Sequence, residues 1–162
     1  MYKKHKINEK LEIFSSLCFP YKSKSISSLR YQVTVGVGGN IGDMKRRMNH
    51  LFVKLQRESR VDILETSLIL KNPPFGYLDQ DDFFNSIVVL KTSMSPKVFL
   101  AYLLHLEKQY GRKRSFANAP RTLDLDILFF DNLSMNTERL TLPHPHWQER
   151  ESVLIPLLGL TK

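Results

Sequence analysis

Two carboxylates stand at the head of an apolar run, Leu123-Asp124-Leu125-Asp126-Ile127-Leu128-Phe129-Phe130, which Asp131-Asn132 closes. A segment this apolar, this short and stopped by turn formers reads as a buried strand. Side chains alternate along a strand, so Asp124 and Asp126 share one face, roughly 6–7 Å apart, while Leu125 points into the opposite layer. The fold must therefore bury one face of this strand and open the other. Two carboxylates so placed can hold one hard cation or a pair. Magnesium suits them, because it takes one or two carboxylates and leaves its other positions to water and substrate phosphates. Aspartates merely solvated on a half-buried strand would show the same spacing. Arg121, just behind Pro120, belongs to the loop entering the strand, from which a guanidinium reaches phosphate oxygens bidentately.

The remaining pattern predicts what surrounds this strand. Residues 31–37 alternate as a strand, Gly38-Gly39-Asn40 turns the chain, and Met44, Met48, Leu51, Phe52 and Leu55 lie along one side of a helix over 43–59. Strands follow at 61–70 and 83–91, separated by a loop in which Pro73-Pro74 and Gly76 forbid regular pairing. Ser95-Pro96 opens a helix to about residue 110. The order β-α-β-β-α-β is that of an α+β ferredoxin-like sandwich, an antiparallel sheet with both helices on one face.

The chain of 162 residues suffices for one domain with a real core. We divide it into an N-terminal extension, residues 1–30, and a single main domain, residues 31–162. In the extension Ile7, Leu11, Phe14 and Cys18 recur at helical spacing before Pro20 and a Ser/Lys-rich linker, which predicts a short helix docked on the domain. No signal peptide is expected there, and the single cysteine fits a reducing compartment, the cytoplasm. No apolar run approaches the roughly 20 residues of a membrane span, so no membrane partner is expected. The net charge is +8, and the extension carries seven Lys/Arg against two Glu, so residues 31–162 are only mildly basic. Their cations cluster by position. Arg112, Lys113, Arg114 and Arg121 precede the aspartates with no acid among them, which suits a polyphosphate.

The string Pro120-Arg121-Thr122-Leu123-Asp124-Leu125-Asp126-Ile127-Leu128 closely resembles the signature of the 6-hydroxymethyl-7,8-dihydropterin pyrophosphokinases, and the resemblance extends over residues 31–162. It implies transfer of diphosphate from ATP, the co-substrate, to a hydroxymethyl-dihydropterin, with AMP released, in folate synthesis. It also implies two Mg2+ ions on Asp124 and Asp126, and Arg112, Arg114 and Arg121 neutralising charge as the phosphate bridge breaks. Asn72-Pro73-Pro74-Phe75-Gly76 and Asp82-Phe83-Phe84-Asn85 are similar to the family's pterin loop. Phe83 matches the stacking aromatic and Asn85 the amide that reads the ring edge, with Asn72, Pro73 and Phe75 as pocket wall. Asn40 is either a turn residue or part of that pocket. Glu107, Ile127, Arg139, Thr141, His144 and Arg150 match nucleotide-facing positions. Two departures stand out: the family's second stacking aromatic falls at Ser152, and its loop tryptophan at Asn118. A nucleic-acid partner is not expected, since a sheet face that reads RNA would not carry two adjacent carboxylates.

Overall fold

A computed structural model describes residues 2–160. Its central strand is β4 (Tyr31–Gly39), followed by α1 (Met44–Arg57), β5 (Val61–Thr66), β6 (Ile69–Asn72), β7 (Phe83–Thr92), α2 (Pro96–Gln109) and β8 (Asp124–Phe130). β8 pairs with β4, β4 with β7, and β7 with β5 and β6, every pair antiparallel. This is the ferredoxin-like order.

Local chemistry explains the elements. Asp43 caps α1 by accepting the Arg46 N–H, and Pro96 opens α2 with its φ already set. The buried faces of α1 (Met44, Met48, Leu51, Phe52, Leu55) and α2 (Phe99, Leu103, Leu106) pack with Val33, Val35, Val37, Val88, Leu90, Leu125 and Ile127 in one apolar core. Strand alternation then commits Gly36, Gly38, Phe83, Asn85, Asp124 and Asp126 to the opposite face of the sheet.

Three expectations need correction. The strand expected over 61–70 is broken at Ser67. Its N–H donates to the Ile87 carbonyl at 2.9 Å and its hydroxyl accepts the Ile87 N–H at 2.8 Å, so the chain kinks there and its two halves pair with successive stretches of β7. A third helix, α3 (Glu151–Leu158), was not anticipated and packs on β6 and β7 from the cavity side, although Pro156 lies within it.

The third correction concerns the extension, where strands replace the expected helix. β1 (Lys3–Lys6) pairs with β2 (Glu12–Ser15), β2 with β6, and β3 (Tyr21–Lys22) with β5. The free edges of β5 and β6 offer hydrogen bonds that a docked helix would leave unmade. Phe14 and Phe19 of this segment are buried in the core, while Ile7 is exposed. No described helix is long and apolar enough to cross a membrane.

Candidate active site

Gly38 pairs with Asp124 on one side and Asn85 on the other; Gly36 pairs likewise with Asp126 and Ile87. With no side chain rising from either glycine, a trough runs over β4 between the carboxylates of β8 and the polar and aromatic residues of β7. A Cβ on Gly38 would lie 2.4 Å from Asn85 Oδ1, so only glycine leaves room for that amide. The trough opens into a cavity of about 890 Å³.

Most of the expected residues meet here. Asn72, Pro73, Phe75, Phe83, Asn85, Arg121, Asp124, Asp126 and Arg150 all line this cavity. The Asn85 amide donates to Asn72 Oδ1 at 2.7 Å, and Asn72 donates to the Pro73 carbonyl at 3.0 Å. Arg121 ties the two halves together. Its Nη1 donates to Asp124 Oδ2 at 3.0 Å, its Nε donates to the Ala119 carbonyl at 3.0 Å, and its guanidinium carbon lies 5.1 Å from the Phe83 ring centroid. Arg150 stands over Phe75 at 6.0 Å.

Other expected residues lie behind or beside the cavity. Asn40 is a buried brace: it exchanges two 2.9 Å hydrogen bonds with the Arg121 backbone, and its amide donates to Gln80 Oε1 and the Asp81 carbonyl. Glu107 faces the junction of α2 and β8. Its carboxylate accepts the Leu125 N–H at 2.8 Å, Arg112 at 3.3 Å and Arg114 at 2.9 Å. Arg112 also donates to Asp124 Oδ1 at 2.8 Å and to the Leu123 carbonyl at 2.9 Å. The Ile127 side chain belongs to the core on the other face.

Arg139 is exposed on the turn between β9 (Met135–Asn136) and β10 (Thr141–Leu142). The Thr141 hydroxyl donates to Asn136 Oδ1 at 3.5 Å. The His144 N–H donates to the Leu128 carbonyl at 2.9 Å, which fastens this segment alongside β8. Burial, then the Arg150 charge, holds the His144 imidazole below its ordinary pKa and so neutral near pH 7.

Sequence reasoning missed the cavity residues Asn8, Glu9, Lys10 and Leu11 from the β1–β2 turn and Val153 of α3. Pairing between distant segments brings the turn here, and no local pattern signals that. Ser152 and Asn118, the two departures from the family pattern, also line the cavity; Asn118 is in the left-handed region at φ 59° and abuts Gly76.

The two carboxylates are electrostatically unequal. Burial alone would raise Asp124, but hydrogen bonds and charge from Arg112 and Arg121 outweigh it and hold that carboxyl below its usual value. Asp126 makes no hydrogen bond or ion pair with any described residue. Burial, then the Asp124 charge, pushes it up to about 7. A carboxyl whose pKa rises on folding destabilises the fold once it ionises. Without a divalent cation, the melting temperature is therefore expected to fall as pH rises from 5 to 8, and Asp126→Asn to flatten that fall. A wild-type decline that persists in Asp126→Asn would show that another group is responsible.

An ionised pair with one member lacking a protein partner fits a hard cation in its donor chemistry. Residues 34–162 match the family model described as 7,8-dihydro-6-hydroxymethylpterin-pyrophosphokinase. The chain is 39% identical over 148 residues to the 2-amino-4-hydroxy-6-hydroxymethyldihydropteridine pyrophosphokinase of Helicobacter pylori, covering 90% of this chain and 91% of that one. It is 40% identical over 139 residues to the Campylobacter jejuni enzyme of the same name, covering 86% and 88%. For the Bacillus subtilis enzyme the identity is 38% over 123 residues, covering 76% and 74%.

Proposed function

The chain belongs to the 7,8-dihydro-6-hydroxymethylpterin-pyrophosphokinase family, and we propose that its cavity seats the pterin at Phe83 and the ATP phosphates at Asp124, Asp126 and Arg121. The reaction transfers diphosphate from ATP to the hydroxymethyl group of 6-hydroxymethyl-7,8-dihydropterin and releases AMP, a step of folate synthesis. One observation carries the assignment of parts. Arg121 is bonded to Asp124 while lying over Phe83, so a single guanidinium spans the carboxylates and the aromatic.

In this reading the pterin hydroxymethyl oxygen attacks the β-phosphorus, and the bridge to the α-phosphate breaks. Phosphoryl chemistry asks little covalent work of a protein; placement and charge neutralisation dominate. Asp124 and Asp126 would hold two magnesium ions, which supply neutralisation of the triphosphate and polarisation of the reacting centre. Phe83 stacks the flat ring on the face that Arg121 leaves free, and Asn85, fixed by Asn72, reads the ring edge. Arg121 is held before substrate arrives and offsets charge as the bridge oxygen becomes anionic. Arg112 and Arg114, resting on Glu107, sit on the loop of residues 111–120. Closing that loop over ATP moves them onto the phosphates and excludes water that would otherwise hydrolyse the nucleotide.

The decisive test is AMP release from ATP with magnesium, with and without the pterin alcohol. Pterin-independent AMP release, or none with both substrates, would remove this reading. Phe83→Ala is expected to weaken pterin binding by about 1–3 kcal/mol, the range of aromatic stacking plus lost burial, while leaving ATP affinity nearly unchanged. Equal losses for both ligands would make Phe83 a structural residue.

A further inference from the structure

One wall of the cavity comes from residues ahead of the family-matched segment, and the reaction described so far gives them no role. The turn between β1 and β2 places Asn8 and Leu11 on the cavity that holds Phe83 and Asp124. Register explains how. Glu12 pairs with Lys71, so one step further along these antiparallel strands Leu11 comes opposite Asn72, and Asn72 pairs with Phe83. Directly opposed residues share a sheet face. Leu11, Asn72 and Phe83 thus form one row across three strands, on the face that carries the carboxylates.

Leu11 is 6% exposed, yet it lies outside the core cluster beneath α1 and α2, so its burial belongs to the cavity side. The turn that presents it is fixed. Asn8 Oδ1 accepts the N–H groups of Lys10 and Leu11, both at 2.8 Å, and the Ile7 N–H donates to the Leu11 carbonyl at 2.8 Å. From α3 the same cavity receives Ser152, which has no apolar face to offer a flat ring. β2 and β8 stand four strand spacings apart, about 19 Å. That span takes a bicyclic ring at the β2 end and the phosphates at the β8 end.

We propose that Leu11 is a positioning residue of the pterin pocket: its side chain forms the apolar wall that seats the ring on the side away from the phosphates. The proposal rests on the reading of Phe83 as the pterin's stacking partner. It makes the N-terminal hairpin part of substrate recognition as well as part of the sheet.

Steady-state AMP release tests it, with pterin and ATP varied separately. Leu11→Ala is expected to raise the KM for the pterin about tenfold, as a lost apolar contact does, and to leave the KM for ATP within about twofold. Leu11→Phe, which restores a wall, should bring the pterin KM back to within about threefold of the original. Should Leu11→Ala fail to fold, Leu11→Val reads the same split at a smaller ratio, about threefold. Parallel rises in both KM values, or an unchanged pterin KM, would overturn the proposal. Phe83→Ala in the same assay separates the two readings. A pterin KM raised by Phe83→Ala but untouched by Leu11→Ala sinks the Leu11 wall alone. If neither substitution moves it, the pocket assignment falls too, and the wall with it.

Discussion

Asp126→Ala is expected to lower the rate of AMP release by about a thousandfold or more, with Asp124→Ala close behind, because each removes half of the donor set proposed for the metal ions that would neutralise the triphosphate. The stability effects should part company. Asp126 has no hydrogen-bond or ion-pair partner among the described residues and its ionised form is penalised by burial and by Asp124, so its loss should raise the melting temperature of the metal-free protein above neutral pH. Asp124 accepts from Arg112 and Arg121, and its removal leaves those guanidinium groups short of a partner. A destabilisation of about 1–3 kcal/mol is expected, tempered by the bond Arg112 keeps to Glu107. Paired activity and melting curves for the two variants, with and without magnesium, check both statements. Near-normal AMP production by either variant would end the metal assignment.

Deleting residues 1–25 should be the most damaging change to the fold itself. Phe14 and Phe19 sit in the central core, where Phe19 packs edge-on against Phe52 of α1. Truncating a buried phenylalanine to alanine costs about 3–5 kcal/mol. In a domain of this size that corresponds to a fall in melting temperature of roughly 10 °C or more for Phe19→Ala alone. The deletion removes both rings and bares the β5 and β6 edges, so aggregation should accompany it. An unchanged melting curve for the truncated protein would mean that these residues are a solvated tail. That outcome is incompatible with the pairing of Ile13 to Leu70 and Tyr21 to Thr66.

Legibility in the sequence tracked how local each determinant was. The Asp-Leu-Asp strand, the apolar stripe of α1 and the proline that opens α2 are short-range patterns, and each lies where the periodicity predicts. The hairpin of the extension was misread because Ile7, Leu11, Phe14 and Cys18 satisfy helical spacing, whereas the choice of strand is made by the free edge of β6, more than 50 residues away. The break at Ser67 depends on hydrogen bonds to Ile87 that no window around residue 67 contains. Within the site, side chains on the trough face were legible by alternation from the strands. Glu107 and Asn40 were harder to place. Both are polar residues whose hydrogen bonds point inward to hold the loop bearing Arg121 and the start of β8, and a polar residue in sequence does not announce which way it faces.

The position of β8 also sets the order in which the molecule can be completed. β4 takes β7 along one edge and β8 along the other, and the Gln32 N–H is closed by the Asp131 carboxylate, a partner 99 positions later. While the chain is being synthesised, the middle strand of the sheet therefore waits with one flank bare until nearly everything else has emerged. The segment that finally covers it is the one bearing Asp124 and Asp126. Pairing of β8 thus closes the second flank of β4 and sets Asp124 and Asp126 beside Gly38 and Gly36 in one event, so a chain that stops short of β8 has an open sheet and lacks the carboxylate pair.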